Sequence, residues 1–183
     1  DKAAKLLSSL KDWKADSVLG AITRELTREG FNVLPAPALL SDFIPSSGIM
    51  GKVKPNREQW KDIRFGYRMA RAIAGLDIGQ TVAVKKGTVV AVEAMEGTDL
   101  CIRRGGEIGG QGLVVVKVSK PHQDMRFDVP VVGKETAQGL IEVKAAVLVL
   151  SAGKTIVLDR EEVIASCDKS RVSLVAVDEQ GKI

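Results

Sequence analysis

The sequence predicts an α/β fold in which a mixed β-sheet is covered by helices. Segments with helical periodicity dominate the first part of the chain, and short runs of β-branched residues appear in the second part. Those runs alternate with further helical segments. Strands interleaved with helices are typical of a sheet that buries its faces under helices.

The clearest predicted helix begins after Asn56. Asn56 and Gln59 fit a capping box, in which each side chain bonds to the backbone N–H of the other residue. Trp60, Ile63 and Tyr67 then recur at helical spacing. The sequence therefore predicts an amphipathic helix that packs one face on the sheet.

The strand predictions rest on apolar runs bounded by turn residues. Two β-branched runs flank Lys85–Gly87, which is typical of a β-hairpin. Leu113–Val118 lacks alternation and predicts a buried strand. Further strands are predicted at Ala145–Leu150, Thr155–Leu158 and Val172–Val177.

Two helices are predicted between and after these strands. One covers Thr136–Val143, and a second begins at a D-x-x-E cap formed by Asp159 and Glu162. The stretch Ser151–Thr155, "SAGKT", is similar to the end of a phosphate-binding loop. The earlier glycine of that motif is absent because Leu148 occupies its place. We interpret Gly153 and Lys154 as a turn.

A domain boundary is predicted near residue 45. Residues 16–29 predict a helix, Phe31–Leu34 predicts a short strand, and the prolines of Pro35–Pro37 end that strand. The stretch from Pro45 to Pro55 is rich in serine and glycine and predicts a loop or linker. We divide the chain into residues 1–44 and residues 45–183.

Composition excludes several classes of protein. Hydrophobic residues make up 45% and charged residues 27%, and no stretch has the length of a membrane-spanning helix. Cys101 and Cys167 are isolated, which favours a reducing cytoplasm and argues against a structural zinc site. The net charge is +4 but aromatic residues are only 4%, so nucleic acid is not an expected partner.

Two segments in the middle of the chain carry candidate anion and metal ligands. Arg103–Gly112, "RRGGEIGGQG", predicts a glycine-rich loop whose backbone amides and arginines could bind phosphate; an ordinary flexible loop is the alternative. Glu93–Asp99, "EAMEGTD", brings three carboxylates together, as a divalent cation requires; an exposed helix start is the alternative.

The segment Lys120–Gly133, "KPHQDMRFDVPVVG", follows the buried strand and holds more acidic groups. If it is extended after Met125, then Arg126 and Asp128 share one face and Phe127 turns inward. His122, the only histidine, has no partner nucleophile, so no Cys-His or Ser-His-Asp site competes with this interpretation. Arginines, glycines and acids together favour metal-assisted phosphoryl chemistry.

These motifs resemble a known family. "VVAVEAMEGTD", "IRRGGEIGG" and "KVSKPHQDMRFDVPVVG" are similar to the carboxy-terminal part of the atypical UDP-2,3-diacylglucosamine pyrophosphohydrolases of lipid A biosynthesis. The resemblance implies Mg²⁺-dependent hydrolysis of UDP-2,3-diacylglucosamine to UMP and 2,3-diacylglucosamine 1-phosphate (lipid X). It also implies two domains with substrate between them, and makes residues 1–44 a remnant of a Rossmann-like amino-terminal domain.

The resemblance also implies roles for individual residues. Asp128 would be the catalytic aspartate, and Asp128 and Asp99 would bind the metal. The residues that would bind substrate phosphate are Thr98, Asp99, Arg103, Lys117, Lys120, Asp124 and Arg126.

The implied partners are the substrate, lipid X, the missing amino-terminal domain and a second copy of the chain. The implied location is the cytoplasm of a Gram-negative bacterium, with peripheral contact at the inner membrane. Apolar residues of the linker are candidates to contact acyl chains: Phe43, Ile44, Ile49 and Met50. The alternative is a non-enzymatic domain that binds an anionic ligand or regulates another protein.

Overall fold

The computed structural model describes Ser8, Leu10, and residues 15–121 and 123–183; His122 lies outside the described residues. The helices are α1 (Ala15–Arg28), α2 (Arg57–Gly75), α3 (Thr98–Gly109), α4 (Lys134–Glu142) and α5 (Arg160–Lys169). The strands are β1 (Gly48–Ile49), β2 (Thr81–Lys85), β3 (Thr88–Val92), β4 (Val114–Lys117), β5 (Val131–Val132), β6 (Val147–Ser151), β7 (Ile156–Val157) and β8 (Ser173–Val177). Within these ranges, no helix is both long and apolar enough to cross a membrane.

The main sheet has six strands in the order β1-β8-β6-β4-β2-β3. The central strands β4, β6 and β8 are parallel, whereas β2 lies antiparallel to β4 and β1 lies antiparallel to β8. Strands β5 and β7 form a separate parallel pair. The predicted mixed sheet is confirmed.

Both faces of the main sheet are covered by helices. Helix α2 packs on one face, where Ile63 and Tyr67 contact Val116 and its neighbours in a buried cluster. Of the other described helices, α3, α4 and α5 pack on the opposite face, where Ile102 and Leu140 belong to a second cluster. Successive side chains of a strand point to opposite faces of the sheet. A strand with an unbroken run of apolar residues therefore supplies side chains to both clusters.

Local signals in the sequence set the start of α2 and the hairpin. Asn56 accepts a hydrogen bond from the Gln59 backbone N–H at 2.9 Å, and the Gln59 side chain accepts from Asn56 N–H at 2.7 Å. In the β2–β3 turn, Lys86 and Gly87 have φ of 49° and 74°, as a two-residue hairpin requires. The Asp62 carboxylate accepts both turn N–H groups, so α2 also anchors the hairpin.

The predicted glycine-rich loop at Arg103–Gly112 is wrong, because helix α3 continues through Gly109. Its glycines serve packing. A Cβ at Gly105 would lie 2.9 Å from Ala83 Cβ, and one at Gly106 would lie 2.4 Å from Val143 Cγ1. The missing side chains let α3 approach the sheet and α4 closely, and the gain in packing outweighs the weak helix propensity of glycine.

The predicted helix after Asp159 is confirmed, with Asp159 at its N-cap position, but the predicted side-chain cap does not form. Asp159 precedes α5 in a left-handed conformation, with φ of 49°, and its side chain makes no capping hydrogen bond. Both acidic side chains form ion pairs with Lys134 instead: its Nζ lies 3.3 Å from Asp159 Oδ2 and 2.8 Å from Glu162 Oε2. An ion pair between α4 and α5 therefore replaces the local cap.

The stretch before residue 54 differs from its prediction in two places. Phe31–Leu34 forms no strand, and Phe31 is 59% exposed, because no described strand lies beside this segment. The linker contains strand β1, whose Ile49 packs against a core cluster, and Met50 packs against the other cluster. Ordinary packing thus explains these two candidate acyl contacts. The division at residue 45 and the Rossmann-like remnant stay predictions.

Candidate functional site

Lys117 ends β4 at the centre of the main sheet, where the strand direction changes. On one side β4 pairs with the parallel strand β6, and on the other side it pairs with the antiparallel strand β2. Ligands of open α/β sheets bind in crevices outside the carboxyl ends of the strands. The Lys117 amino group lies at the carboxyl end of β4 and is therefore on the binding side of the sheet.

Hydrogen bonds hold the Lys117 ammonium in place. Its Nζ donates to Thr98 Oγ1 at 2.9 Å and to the Val131 carbonyl at 3.0 Å. Burial lowers the pKa of Lys117 from its usual value, and the nearby carboxylates of Glu93 and Asp99 oppose that shift. The ammonium is thus partly desolvated, which strengthens its attraction for an anion.

The first turns of α3 and α4 meet beside this lysine. Thr136, in the first turn of α4, donates its hydroxyl proton to Asp99 Oδ1 at 3.0 Å. Asp99 and Arg103 line a groove between the two helices, together with Lys134 and Glu135 of α4. Helix amino termini attract negative charge. The starts of α3 and α4 therefore add to the positive potential of Lys117 at this corner.

The loop after β4 carries Asp124 and Arg126 as a closed ion pair. Arg126 Nε and Nη2 donate to the two Asp124 oxygens at 2.9 and 2.6 Å. This side-chain hydrogen bonding lowers the pKa of Asp124 and raises that of Arg126. The extended conformation considered for the segment after Met125 does not form, because residues 125–127 form a turn and the Asp128 N–H donates to the Asp124 carbonyl at 3.0 Å.

Asp128 and Lys120 have partners within or near the same loop. Asp128 Oδ2 accepts a hydrogen bond from Gln123 Nε2 at 2.8 Å. The Lys120 ammonium lies 2.8 Å from Asp77 Oδ1, and the Lys120 N–H donates to Gln123 Oε1 at 2.7 Å. The Gln123 amide therefore links the backbone of Lys120 to the carboxylate of Asp128.

The three carboxylates of Glu93–Asp99 do not form a ready metal cage. Glu93 bonds to Thr98, Glu96 pairs with Arg104, and Asp99 bonds to Thr136. Among the described residues, no group of three acidic, histidine or cysteine side chains is arranged to hold a metal. Mg²⁺ is often held by one or two carboxylates plus substrate phosphates and water. The residues present do not fit a site complete in itself, and the Mg²⁺ assignment stays a prediction.

The structure brings only some of the predicted site residues together. Thr98 and Lys117 touch, and Asp99 and Arg103 share the adjacent groove. Within the described ranges, no hydrogen bond or ion pair joins Asp128 to Asp99 or Arg103. From its sequence pattern, Glu93 was only one of three clustered acids. Its position directly after the apolar run "TVVAV" was the signal that this acid is buried.

Comparison with known proteins decides the family. The sequence model described as the LpxI C-terminal domain matches residues 46–175. The chain belongs to the LpxI C-terminal domain family. The matched residues include the whole main sheet except the last residues of β8. They also include all of the predicted site residues.

The similarity to one curated protein extends beyond the residues that match the LpxI C-terminal domain. The UDP-2,3-diacylglucosamine pyrophosphatase LpxI of Caulobacter vibrioides is 36% identical over 173 residues, which cover 90% of this chain and 62% of that protein. The chain therefore spans less than two thirds of that relative's length.

Two solved structures of Acinetobacter baumannii RibD, forms 1 and 2, give TM-scores of 0.40. They are 14% and 13% identical, cover 64% of this chain, and are themselves covered to 35% and 36%. Similarity at this level carries no argument about the LpxI C-terminal domain.

Proposed function

We propose that this chain is the carboxy-terminal part of an enzyme that hydrolyses the pyrophosphate bond of UDP-2,3-diacylglucosamine. The products would be UMP and 2,3-diacylglucosamine 1-phosphate. Family membership and the similarity to the Caulobacter vibrioides protein support the substrate. The observation that carries the proposal is the partly buried Lys117 ammonium at the carboxyl end of the central strand.

The chemistry of pyrophosphate hydrolysis fits this corner of the sheet. Water attacks one phosphorus, and negative charge grows on the oxygen that leaves. Lys117, Arg103 and the amino termini of α3 and α4 would offset that charge, since fixed positive groups act strongly where water is excluded. They would also hold the pyrophosphate in position for attack.

Asp128 is the proposed catalytic carboxylate. Its Oδ2 is already oriented by Gln123, and a carboxylate held in this way can orient an attacking water. Lys120, Asp124 and Arg126 would line the phosphate site from the same loop, with Arg126 exchanging its bond to Asp124 for one to phosphate. A bound Mg²⁺, held by Asp99 or Asp128 with the substrate phosphates, would neutralise phosphate charge.

Further partners are part of the same proposal. The substrate would lie between this chain and an amino-terminal domain, in a cytoplasmic protein that works at the inner membrane and pairs with a second copy. Of the two remaining candidate acyl contacts, Phe43 and Ile44, Phe43 is the more exposed, with 40% of its surface accessible. The backbone N–H of Ala36 donates to the Met125 carbonyl at 2.9 Å, so this segment also touches the loop of Asp128.

Release of UMP from UDP-2,3-diacylglucosamine tests the proposal. Asp128→Asn should lower the rate by about 100-fold or more, the scale of losing a general base. The matched control is Glu58→Gln, which removes an exposed carboxylate on α2 and should leave the rate unchanged. An Asp128→Asn protein that releases UMP at the normal rate would contradict the catalytic assignment.

The same assay separates the metal and binding alternatives. EDTA should abolish UMP release and added Mg²⁺ should restore it; a rate indifferent to both would remove the metal from the proposal. Binding of the substrate with no UMP release, in the presence of Mg²⁺ and the amino-terminal domain, would favour the non-enzymatic anion-binding alternative.

A further inference from the structure

Glu93 is a buried carboxylate immediately after β3, with 9% of its surface exposed. A buried charge is costly unless hydrogen bonds or ions compensate it. Its Oε2 accepts from the Gln80 N–H at 3.0 Å, and its Oε1 accepts from the Thr98 hydroxyl at 2.8 Å. Both oxygens are therefore satisfied, and the position of this group is fixed.

The direction of each hydrogen bond follows from the chemistry of the partners. Lys117 has only donors, so Thr98 Oγ1 must accept from Nζ. The single Thr98 proton is then left for Glu93, which as a carboxylate only accepts. The Thr81 hydroxyl, 3.4 Å from Thr98 Oγ1, could join only as a further donor.

These bonds form a relay from Glu93 through Thr98 to Lys117. The relay joins the end of β3, the first turn of α3 and the end of β4. An ammonium has three N–H donors, and two of them are directed by Thr98 and Val131. With two directions set, the third N–H has one remaining direction, and no described protein group accepts it.

We propose that Glu93 is a positioning residue, which holds the Lys117 ammonium through the Thr98 hydroxyl so that its third N–H meets the pyrophosphate of the substrate. This inference rests on the proposed function for the identity of the anion. Glu93 itself does not touch the substrate. Its carboxylate form matters because it places an accepting oxygen opposite each of the two donors, which an amide of the same shape cannot do.

The substitution Glu93→Gln tests that point with little change in shape. Gln80 N–H and the Thr98 hydroxyl bind different oxygens of Glu93, and in the amide one of those two positions becomes an NH₂ donor, so both bonds cannot form in the same geometry. If the oxygen stays on Gln80, the NH₂ competes with Lys117 for Thr98 Oγ1. The relay is then reversed or broken while the fold keeps its packing.

Binding of inorganic pyrophosphate, measured by calorimetry on the full chain, gives the first readout. Glu93→Gln and Lys117→Met should each weaken binding about tenfold, the scale of one hydrogen bond to a charged group. In a Lys117→Met background, Glu93→Gln should have no further effect. Equal losses in both backgrounds, or no loss from Glu93→Gln alone, would overturn the proposal. The control Glu58→Gln should bind normally.

Nuclear magnetic resonance of the lysine ammonium groups gives a readout independent of any ligand. Lys117 should give a slowly exchanging ¹⁵Nζ signal, assigned by its loss in Lys117→Met. Glu93→Gln should accelerate hydrogen exchange of that signal; an unchanged exchange rate would overturn the proposal. A different outcome is that Glu93→Gln accelerates the exchange of the Lys117 signal but the unsubstituted chain does not bind pyrophosphate. The proposed function and the contact with the anion would then be wrong, whereas the positioning of Lys117 by Glu93 would stand.

Thr98→Val provides a second route if Glu93→Gln does not fold. It removes the middle of the relay but leaves the bond from Gln80 N–H to Glu93. It should give the same accelerated exchange and the same loss of pyrophosphate affinity. A Thr98→Val chain with the exchange rate and affinity of the unsubstituted chain would contradict the relay.

Discussion

The Thr136 hydroxyl donates to Asp99 Oδ1 at 3.0 Å and so joins the first turn of α4 to the first turn of α3. Thr136 is buried, with 7% of its surface exposed. The bond fixes the two helix starts that flank Lys117, and its loss should affect both stability and ligand binding.

We expect Thr136→Val to lower the free energy of unfolding by about 1–2 kcal/mol, because a hydrogen bond to a charged group is lost. Urea unfolding measures this change. Thr136→Ser keeps the hydroxyl and should lose less. Equal stability of the Val and Ser variants would show that the hydroxyl does not tie the helices.

The pKa of Lys117 predicts how pH changes stability. Burial lowers this pKa in the folded protein, whereas the unfolded chain has the usual value of about 10.4. Between the two values the unfolded state binds more protons, so this group makes stability rise with pH. Below the folded-state pKa, both states are protonated and the effect is flat.

The difference in unfolding free energy between the unsubstituted chain and Lys117→Met isolates that group. It should shift in favour of the unsubstituted chain as pH rises towards about 10.4. Lys169→Met, at the exposed end of α5, is the control for removing a lysine from the surface. A slope of the opposite sign would contradict a lowered pKa.

Two glycines in neighbouring helices should respond oppositely to the same substitution. A Cβ at Gly106 would lie 2.4 Å from Val143 Cγ1, whereas one at Gly139 would meet only Ile102 Cγ2 at 4.0 Å. Gly106→Ala should destabilise by about 1–3 kcal/mol through overpacking, and Gly139→Ala should stabilise by about 0.5–1 kcal/mol. Adding Val143→Ala to Gly106→Ala should relieve the overpacking. Thermal unfolding of Gly106→Ala, Gly139→Ala and the double variant measures these changes in stability.

Asp168 ties the end of α5 to the segment after β1. Its Oδ1 accepts from the N–H groups of Lys52 and Val53 at 2.8 and 3.2 Å. Asp168→Ala should therefore increase amide hydrogen exchange at Lys52 and Val53, with little change at Val149 in the sheet centre. Unchanged exchange at both amides would mean that other contacts hold the segment.

The sequence predicted those elements whose signals are local. The Asn56 cap and the Lys86–Gly87 turn depend on residues a few positions apart, and the buried strands are continuous apolar runs. The helix over Arg103–Gly109 was missed because a high glycine content has two possible causes. It is found in flexible loops and also where a helix packs closely against its neighbours. Its partners Ala83 and Val143 are distant in sequence.

The candidate site could be predicted only in part for the same reason. Lys117 and Thr98 were singled out by resemblance, and the structure places them in contact. The hydrogen-bond partners of Glu93 and the ion pair of Asp124 with Arg126 depend on how the β3–α3 turn and the loop after β4 fold. No periodicity in the sequence encodes these partners. The catalytic role of Asp128 stays a prediction.

The segment from Gly48 to Val53 closes one edge of the main sheet. Gly48 and Ile49 pair with β8, the Met50 N–H donates to the Leu174 carbonyl at 2.9 Å, and Ser173 Oγ donates to the Val53 carbonyl at 2.8 Å. Without this segment, β8 would present an open row of backbone groups along an apolar strand, which is a template for self-association. Loss of this segment should therefore expose the edge of β8 and promote self-association of the chain.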